Sequence, residues 1–211
     1  DHGASYFQIE TPQIQNLCYD LASRNILRRQ EEYYIAAPGM NSLAKYFSKN
    51  LNLYTDTKVK TISNKFVTDE NEKKYGPFDM IIVTIPAPQI PDIVSETKDL
   101  LGQIKFSPRR TIMMTLGNDN KAPPHEDAEK MIHEDRKPER PNHNSVVYHM
   151  SRSWSESRID LDNTAALDAF LKKWAGDPDM IIHAQAHGWR YAHSTTTLGD
   201  QAEKTHHQFS E

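Results

Sequence analysis

Histidine is the first residue type to consider for metal binding or catalysis, since the 211 residues include ten histidines. His183 and His187 have the spacing that places two metal ligands on one face of a helix. Residues 180–192, however, alternate apolar and polar side chains, which predicts a strand. On a strand the two imidazoles lie about 13 Å apart, too far for one metal ion to bridge. We therefore predict no metal site.

Covalent catalysis also has little support in this sequence. The chain contains no Gly-x-Ser-x-Gly nucleophile elbow, Walker loop or protein-kinase signature. Its single cysteine, Cys18, falls on the apolar face of a predicted helix, where a cysteine is usually a small buried hydrophobe. One cysteine also excludes an internal disulfide and favours a reducing, cytoplasmic location. Hydrolase and phosphotransferase activities are therefore not expected.

The group Trp189-Arg190-Tyr191-Ala192 closes the predicted strand over 180–192. Strand ends followed by irregular chain often face ligands, which favours a binding role for the two aromatic rings. Alternatively, the rings only pack against neighbours and Arg190 pairs with a nearby acid. The residues alone leave both interpretations open.

Charge and hydropathy remove further classes of function. The net charge is −4 and Lys and Arg are not clustered, so nucleic-acid binding is not expected. The longest apolar runs, such as Met80–Val83, are far shorter than the roughly 20 residues of a membrane-spanning helix. The chain also begins without the basic and apolar regions of a signal peptide. We expect a cytoplasmic protein with a small-molecule substrate, and its oligomeric state stays open.

Apolar periodicity predicts elements of both kinds. Helices are expected over 13–28, from Met40 to Leu51, over 89–102, and between Asp162 and Gly176. Strands are expected at 53–55, 58–62, 65–68, 111–116, 145–150 and 180–192. Phe78–Ile85 lacks alternation, which is typical of a central parallel strand buried on both faces, and the polar stretch 117–144 is predicted to be a surface excursion. This mixture predicts an α+β (mixed α/β) fold with discontinuous domains.

Seven short segments share their order and spacing with one known family. They are Asp1–Phe7, Pro38–Ala44, Gly76–Asp79, Val83–Gln89, Lys137–Arg140, Ser153–Ser155 and Trp189–Ala192. Together they resemble the renalase-like branch of the FAD-dependent amine oxidoreductases, in the flavin-containing amine oxidase superfamily. The resemblance implies a substrate-binding domain with a mixed or antiparallel sheet, joined to part of an FAD/NAD(P)-binding domain.

The resemblance also implies roles for single residues. Gly3 and Ala4 would let the backbone approach the cofactor, although a glycine in a strand can also mark a bulge. The Val59 backbone would hold the adenine of FAD, and Thr84-Ile85-Pro86 would end a strand beside the dinucleotide. Val59 and Ile85 could equally be sheet core. Trp189 and Tyr191 would line the substrate side of the flavin ring.

Two parts of the family pattern are missing from these residues. There is no Gly-x-Gly-x-x-Gly motif after a strand and no C-terminal Cys-Gly-Asp segment. We therefore expect a fragment whose own FAD binding is weak or absent, so that activity of this chain by itself stays open. The expected division is a substrate-binding part at 1–35 and 100–195, part of the FAD-binding domain at 36–99, and an uncertain tail at 196–211.

The resemblance implies a function for the parent enzyme. It would oxidise an amine or a dihydropyridine-like substrate, of the reduced nicotinamide type, by hydride transfer to flavin, with oxygen as the acceptor. The alternative is a non-catalytic binding or interaction domain derived from such an enzyme.

Overall fold

The computed structural model of the chain describes residues 3–9, 11–94, 97–117, 121–141 and 143–196. The chain is divided into two compact units. The first comprises Asp1–Asn52 and Pro108–Trp189, and the second comprises Leu53–Ser107 and Arg190–Glu211. Helices occur together with antiparallel sheets, so the predicted α+β fold class is confirmed.

The helices and strands of the described residues have the following bounds. The α-helices are α1 (Pro12–Ser23), α2 (Asn41–Ser48), α3 (Lys98–Leu101), α4 (Arg152–Glu156) and α5 (Asn163–Leu171). The strands are β1 (Leu27–Gln30), β2 (Tyr33–Ala36), β3 (Val59–Ser63), β4 (Phe66–Asp69), β5 (Lys74–Tyr75), β6 (Phe106–Leu116), β7 (Ala128–His133), β8 (Ser145–Met150) and β9 (Ile181–Ser194). They form three sheets with the orders β1-β2, β3-β4-β5 and β7-β8-β6-β9.

The main core of the first unit lies between the four-stranded sheet and helices α4 and α5. Its buried members are Ile112, Met114, Leu116, Ala122, Val146, Tyr148, Met150, Trp154, Ala166, Phe170, Trp174 and Ala186. Helix α5 begins at the predicted place because the Asp162 carboxylate accepts a hydrogen bond from the Ala165 N–H at 2.8 Å. Tyr148 closes the core by accepting a bond from the Trp174 indole at 3.1 Å and donating to the Pro123 carbonyl at 2.7 Å.

A second core in this unit packs α1 against the β1-β2 hairpin. Cys18 is 2% exposed within it, which confirms the expected buried thiol, and burial raises the pKa of that thiol. The helix predicted over 13–28 is wrong in its last part, because α1 ends at Ser23. Asn25 takes a left-handed conformation with φ of 61°, which ends the helix and lets Leu27 begin a strand.

The second unit departs furthest from the sequence prediction. Phe78–Ile85 is not a strand but irregular chain, and Met80 and Ile82 are 77% and 78% exposed. The prediction is wrong because a β-forming run needs a partner, and no strand of the described residues pairs with this one. The helix predicted over 89–102 is also wrong as a single element. A 3₁₀ helix at Ala87–Asp92 precedes α3, since Pro88 and Pro91 lack the N–H groups of an α-helical ladder.

The stretch 117–144 takes part in the sheet. Residues 128–133 form the edge strand β7, which pairs with β8, and a 3₁₀ turn, Glu134–Arg136, follows it. His125 is 5% exposed, and its ring stacks on Phe170 with the centroids 4.3 Å apart. The polar composition of this stretch therefore does not place all of it at the surface.

Asp69 holds the turn between β4 and β5. Burial is the largest influence on its carboxyl and raises the pKa, but three hydrogen bonds together lower the pKa below its usual value. The bonds come from the N–H groups of Asn71 and Lys73, at 2.8 and 3.0 Å, and from the Tyr75 hydroxyl at 3.0 Å.

A folded-state pKa below the unfolded one means that Asp69 stabilises the turn above pH of about 4 and loses this effect as the pH falls further. We expect Asp69→Asn to lower the urea midpoint at pH 7 and to flatten its dependence on pH between neutral and strongly acidic solution. Denaturation curves across this range measure both effects. If the urea midpoints of Asp69→Asn and of the original chain changed with pH in the same way, this role of the carboxylate would be contradicted.

Candidate functional site

The four-stranded sheet has one face against α4 and α5 and another face that carries polar side chains. Ile112, Tyr148 and Ala186 belong to the helix-covered core. Because side chains alternate along a strand, their neighbours Thr111 and His149 point to the opposite face. We call this opposite side, with Lys130, His149, Thr111, His187 and Trp189, the polar face.

The strand register brings three residues of the polar face into one row. Lys130 of β7 lies opposite His149 of β8, which lies opposite Thr111 of β6. Thr111 is fully buried, yet its Oγ1 has no hydrogen-bond partner, and neither has the buried Nε2 of His149. Buried polar atoms without partners are rare, and they mark positions where a ligand or a water molecule completes the bonding.

The segment 3–9 crosses the polar face. At one end, a Cβ added at Gly3 would lie 3.5 Å from Cζ2 of Trp189 on β9. Three residues later, Tyr6 contacts Lys130 on β7 at the far edge of the sheet. Ser5 lies between these two anchors, is 5% exposed and also has an unpartnered Oγ.

A buried ionic cluster borders the row. Lys137 donates to the carboxylate of Glu134, and the Arg140 Nε lies 3.8 Å from the same carboxylate. Burial, the largest influence, lowers the pKa of Lys137, although the bond to Glu134 acts in the opposite direction. Arg140 also donates to the Ala36 carbonyl at 3.5 Å, which ties the cluster to the β1-β2 hairpin.

The environment of His149 lowers the pKa of its imidazole and so favours the uncharged ring. Burial is the main cause that lowers the pKa of its imidazole below 6.5, followed by the positive charges of Arg109, Lys130 and Lys137. The Glu134 carboxylate acts in the opposite direction without cancelling them. A neutral ring can either donate or accept a hydrogen bond at Nε2.

We expect the C2 proton of His149 to titrate below the ordinary value of about 6.5 in an NMR titration. Because the folded-state pKa is the lower one, His149 stabilises the fold above that pH and loses this effect as the solution becomes more acidic. In Lys130→Gln, one of the three positive charges near His149 is removed, so the midpoint of the His149 titration should rise. A midpoint at or above the ordinary value in the original chain would contradict this environment.

Trp189 and Tyr191, the residues predicted to face flavin and substrate, lie on β9. Trp189 is 37% exposed, and its ring contacts that of His187 edge-on with the centroids 4.6 Å apart. Tyr191 belongs to the second unit and contacts Phe106 with the centroids 5.7 Å apart. The first unit therefore brings Gly3 and Trp189 together. The predicted strand end is wrong, because β9 continues to Ser194 and Trp189 lies inside it.

The predicted cofactor residues are distributed over both units. Gly3 and Ala4 lie in the first unit, whereas Val59 and the run Thr84-Ile85-Pro86 lie in the second. Val59 begins β3 beside a bulge, since the register shifts between Val59 and Thr61. The extra residue of this bulge is Lys60, whereas Val59 stays paired with Asp69, so the role of the Val59 backbone stays a prediction. Thr84 and Ile85 are exposed on irregular chain, and their role stays a prediction.

The described ranges contain no candidate metal site and no candidate membrane span. No group of three or more His, Cys, Asp or Glu side chains could hold a metal ion there. In the same part of the chain, every helix is too short or too polar to cross a membrane.

The fold of this chain matches that of a known structure. It is similar to the crystal structure described as "Putative protoporphyrinogen oxidase" from Exiguobacterium sp. 255-15, with a TM-score of 0.58 and 14% sequence identity. The match covers 85% of this chain and 45% of that chain, so this chain spans less than half of the similar structure. No protein-family model and no curated protein sequence matches. The similarity therefore defines the fold and leaves the renalase-like assignment untested.

The row of Lys130, His149 and Thr111 was missed by sequence reasoning. Each residue stands next to apolar strand residues, which is a detectable signal of a polar side chain on a sheet face. The pairing of β7 with β8 and of β8 with β6 is not encoded in any local pattern. A local pattern could therefore predict three polar positions but not that they meet.

Proposed function

We propose that this chain is the substrate-facing part of a flavin-dependent oxidoreductase. The observation that carries the proposal is the fold shared over 85% of the chain with a structure described as an oxidase. The polar face supports it independently, because Ser5, Thr111 and His149 present buried polar atoms that lack partners. In this proposal 1–35 and 100–195 bind substrate, 36–99 contribute to the FAD-binding domain, and the protein acts in the cytoplasm on a small molecule.

The proposed substrate is an amine or a dihydropyridine-like compound of the reduced nicotinamide type. Gly3, Ala4, Val59 and the run Thr84-Ile85-Pro86 would hold FAD, largely through backbone groups. When bound, FAD would supply the redox chemistry, a two-electron oxidation of the substrate with dioxygen as the final acceptor.

The chain's own residues position the substrate. Trp189 presents an aromatic ring beside Gly3 and His187, and such a ring excludes water and aligns a planar ligand. His149, neutral near pH 7, offers Nε2 for a hydrogen bond to the substrate without adding charge. Thr111 offers a hydroxyl from the neighbouring strand. These groups bind and orient, so an acid/base pair is not required.

Flavin retention is the first test. The purified chain is incubated with FAD and desalted, and its visible spectrum is recorded. A retained and perturbed flavin band would show that the cofactor site forms within this chain, whereas free flavin agrees with the weak or absent binding expected of a fragment. The same test on the longer parent protein then decides, since a parent that retains no flavin would overturn the proposal. Retained flavin that amines and dihydropyridines never bleach would favour the alternative, a binding domain derived from such an enzyme.

In the longer, flavin-retaining parent protein, Trp189→Ala is expected to slow anaerobic flavin bleaching about tenfold without changing the flavin content, because an aligned near-attack geometry is lost. Trp189→Phe keeps an aromatic wall and serves as the matched control, with a smaller effect. Equal bleaching rates for the original chain and Trp189→Ala would remove this residue from the site.

A further inference from the structure

A positive corner lies at the β7 edge of the polar face. The Lys130 ammonium donates to the Tyr6 hydroxyl and lies 4.9 Å from the centroid of the Tyr6 ring. That ring packs on Tyr33 with the centroids 4.3 Å apart, which fixes the phenol. Within the described ranges, Lys130 makes no ion pair with a carboxylate. Its charge is therefore held in place without an acidic partner.

Nearby charges add to this positive potential. Lys137 and Arg140 both lie against the single carboxylate of Glu134. The charge of Lys137 is close enough to act on the Tyr6 phenol and on the His149 imidazole.

The other carboxylate of this turn, that of Asp135, acts electrostatically on His133. His133 alternates with Ile132 along β7 and so points to the face opposite Lys130. Among the described residues, Asp135 makes no ion pair with Lys130.

From this geometry we propose that the corner formed by Tyr6, Lys130, Lys137 and His149 binds an oxyanion, the carboxylate or phosphate group of a small molecule. An oxyanion accepts several charge-assisted hydrogen bonds at once, which suits an ammonium beside a phenol and an imidazole. It also supplies the partner that the buried Nε2 of His149 lacks. This inference rests on the proposed function in one respect only, because it takes the small molecule that carries the oxyanion to be the substrate.

The experiment uses the chain without flavin and two probes, inorganic phosphate and malonate. Each is titrated to millimolar concentration at constant ionic strength set with chloride, while NMR follows the C2 proton of His149. A bound anion should shift this resonance saturably and raise the midpoint of the imidazole titration, because it offsets the neighbouring positive charges.

Variants separate the corner from general charge effects. Lys130→Gln should weaken binding of the effective probe about tenfold, since one charge-assisted hydrogen bond is lost. Tyr6→Phe keeps the ring packing and removes only the hydroxyl, so a smaller loss is expected. Lys172→Gln makes the same charge change at the exposed end of α5 and should leave binding unchanged.

Saturation with phosphate alone, with malonate alone or with both supports the corner and distinguishes the two sources of oxyanion. Absence of saturation with both probes, or equal effects of Lys130→Gln and Lys172→Gln, would overturn it. Anion binding, together with a longer parent protein that retains no FAD, would leave the corner standing and remove the oxidoreductase assignment. Retained FAD without anion binding would remove the corner and leave the oxidoreductase assignment standing.

Discussion

Arg110→Met is expected to lower the free energy of unfolding by about 3–5 kcal/mol, because it removes the donor of a buried network and leaves the acceptors unpaired. Arg110 is 2% exposed. Its guanidinium donates to the carbonyls of Arg158, at 3.0 Å, of Ile159, at 3.1 Å, and of Leu161, and to the Asn163 side chain at 2.8 Å. This one side chain therefore ties the connection between α4 and α5 to β6.

Urea denaturation followed by tryptophan fluorescence measures the effect of Arg110→Met. The control is Arg152→Met, since Arg152 pairs with Glu156 at the surface of α4 and exposed ion pairs contribute little. Arg110→Lys keeps the charge but lacks the planar guanidinium group that donates several hydrogen bonds. Its urea midpoint should therefore lie between those of Arg110→Met and Arg152→Met. Equal midpoints for Arg110→Met and Arg152→Met would show that the network does not stabilise the fold.

Local signals predicted the elements whose determinants are local. Helix α5 follows from the Asp162 cap and the apolar positions after it, and strand β9 follows from its alternation. Helix α1 was extended too far because Ile26 and Leu27 continue its apolar period. Only the left-handed turn at Asn25 and the pairing of β1 with β2 end it there.

Predictions that depend on distant partners failed more often. Phe78–Ile85 has the composition of a buried strand, yet burial requires a covering surface, and Met80 and Ile82 are exposed. At the site, the sequence indicated Trp189 at a strand end, but β9 continues to Ser194 and Trp189 lies inside it, beside Gly3. It did not indicate Lys130 and His149, because their meeting depends on strand register.

Phe170→Ala is expected to cost about 3–5 kcal/mol of unfolding free energy, since it opens a cavity at a fully buried position. The ring stacks on His125 at 4.3 Å and contacts Tyr148 at 5.0 Å between centroids. It therefore joins the stretch before β7 and strand β8 to helix α5. Losing the ring removes both contacts, which neighbouring side chains can replace only in part.

The size of the loss should follow the volume removed at Phe170. Phe170→Leu fills much of the space and should cost only roughly 1–2 kcal/mol, whereas Phe47→Ala removes a ring that is 50% exposed on α2 and should cost less than Phe170→Ala. Urea midpoints in that order would place the Phe170 ring at the centre of the core. If Phe170→Ala and Phe47→Ala lost stability equally, the packing of α5 on the sheet could not be what stabilises the first unit, and the polar face would lack a rigid support.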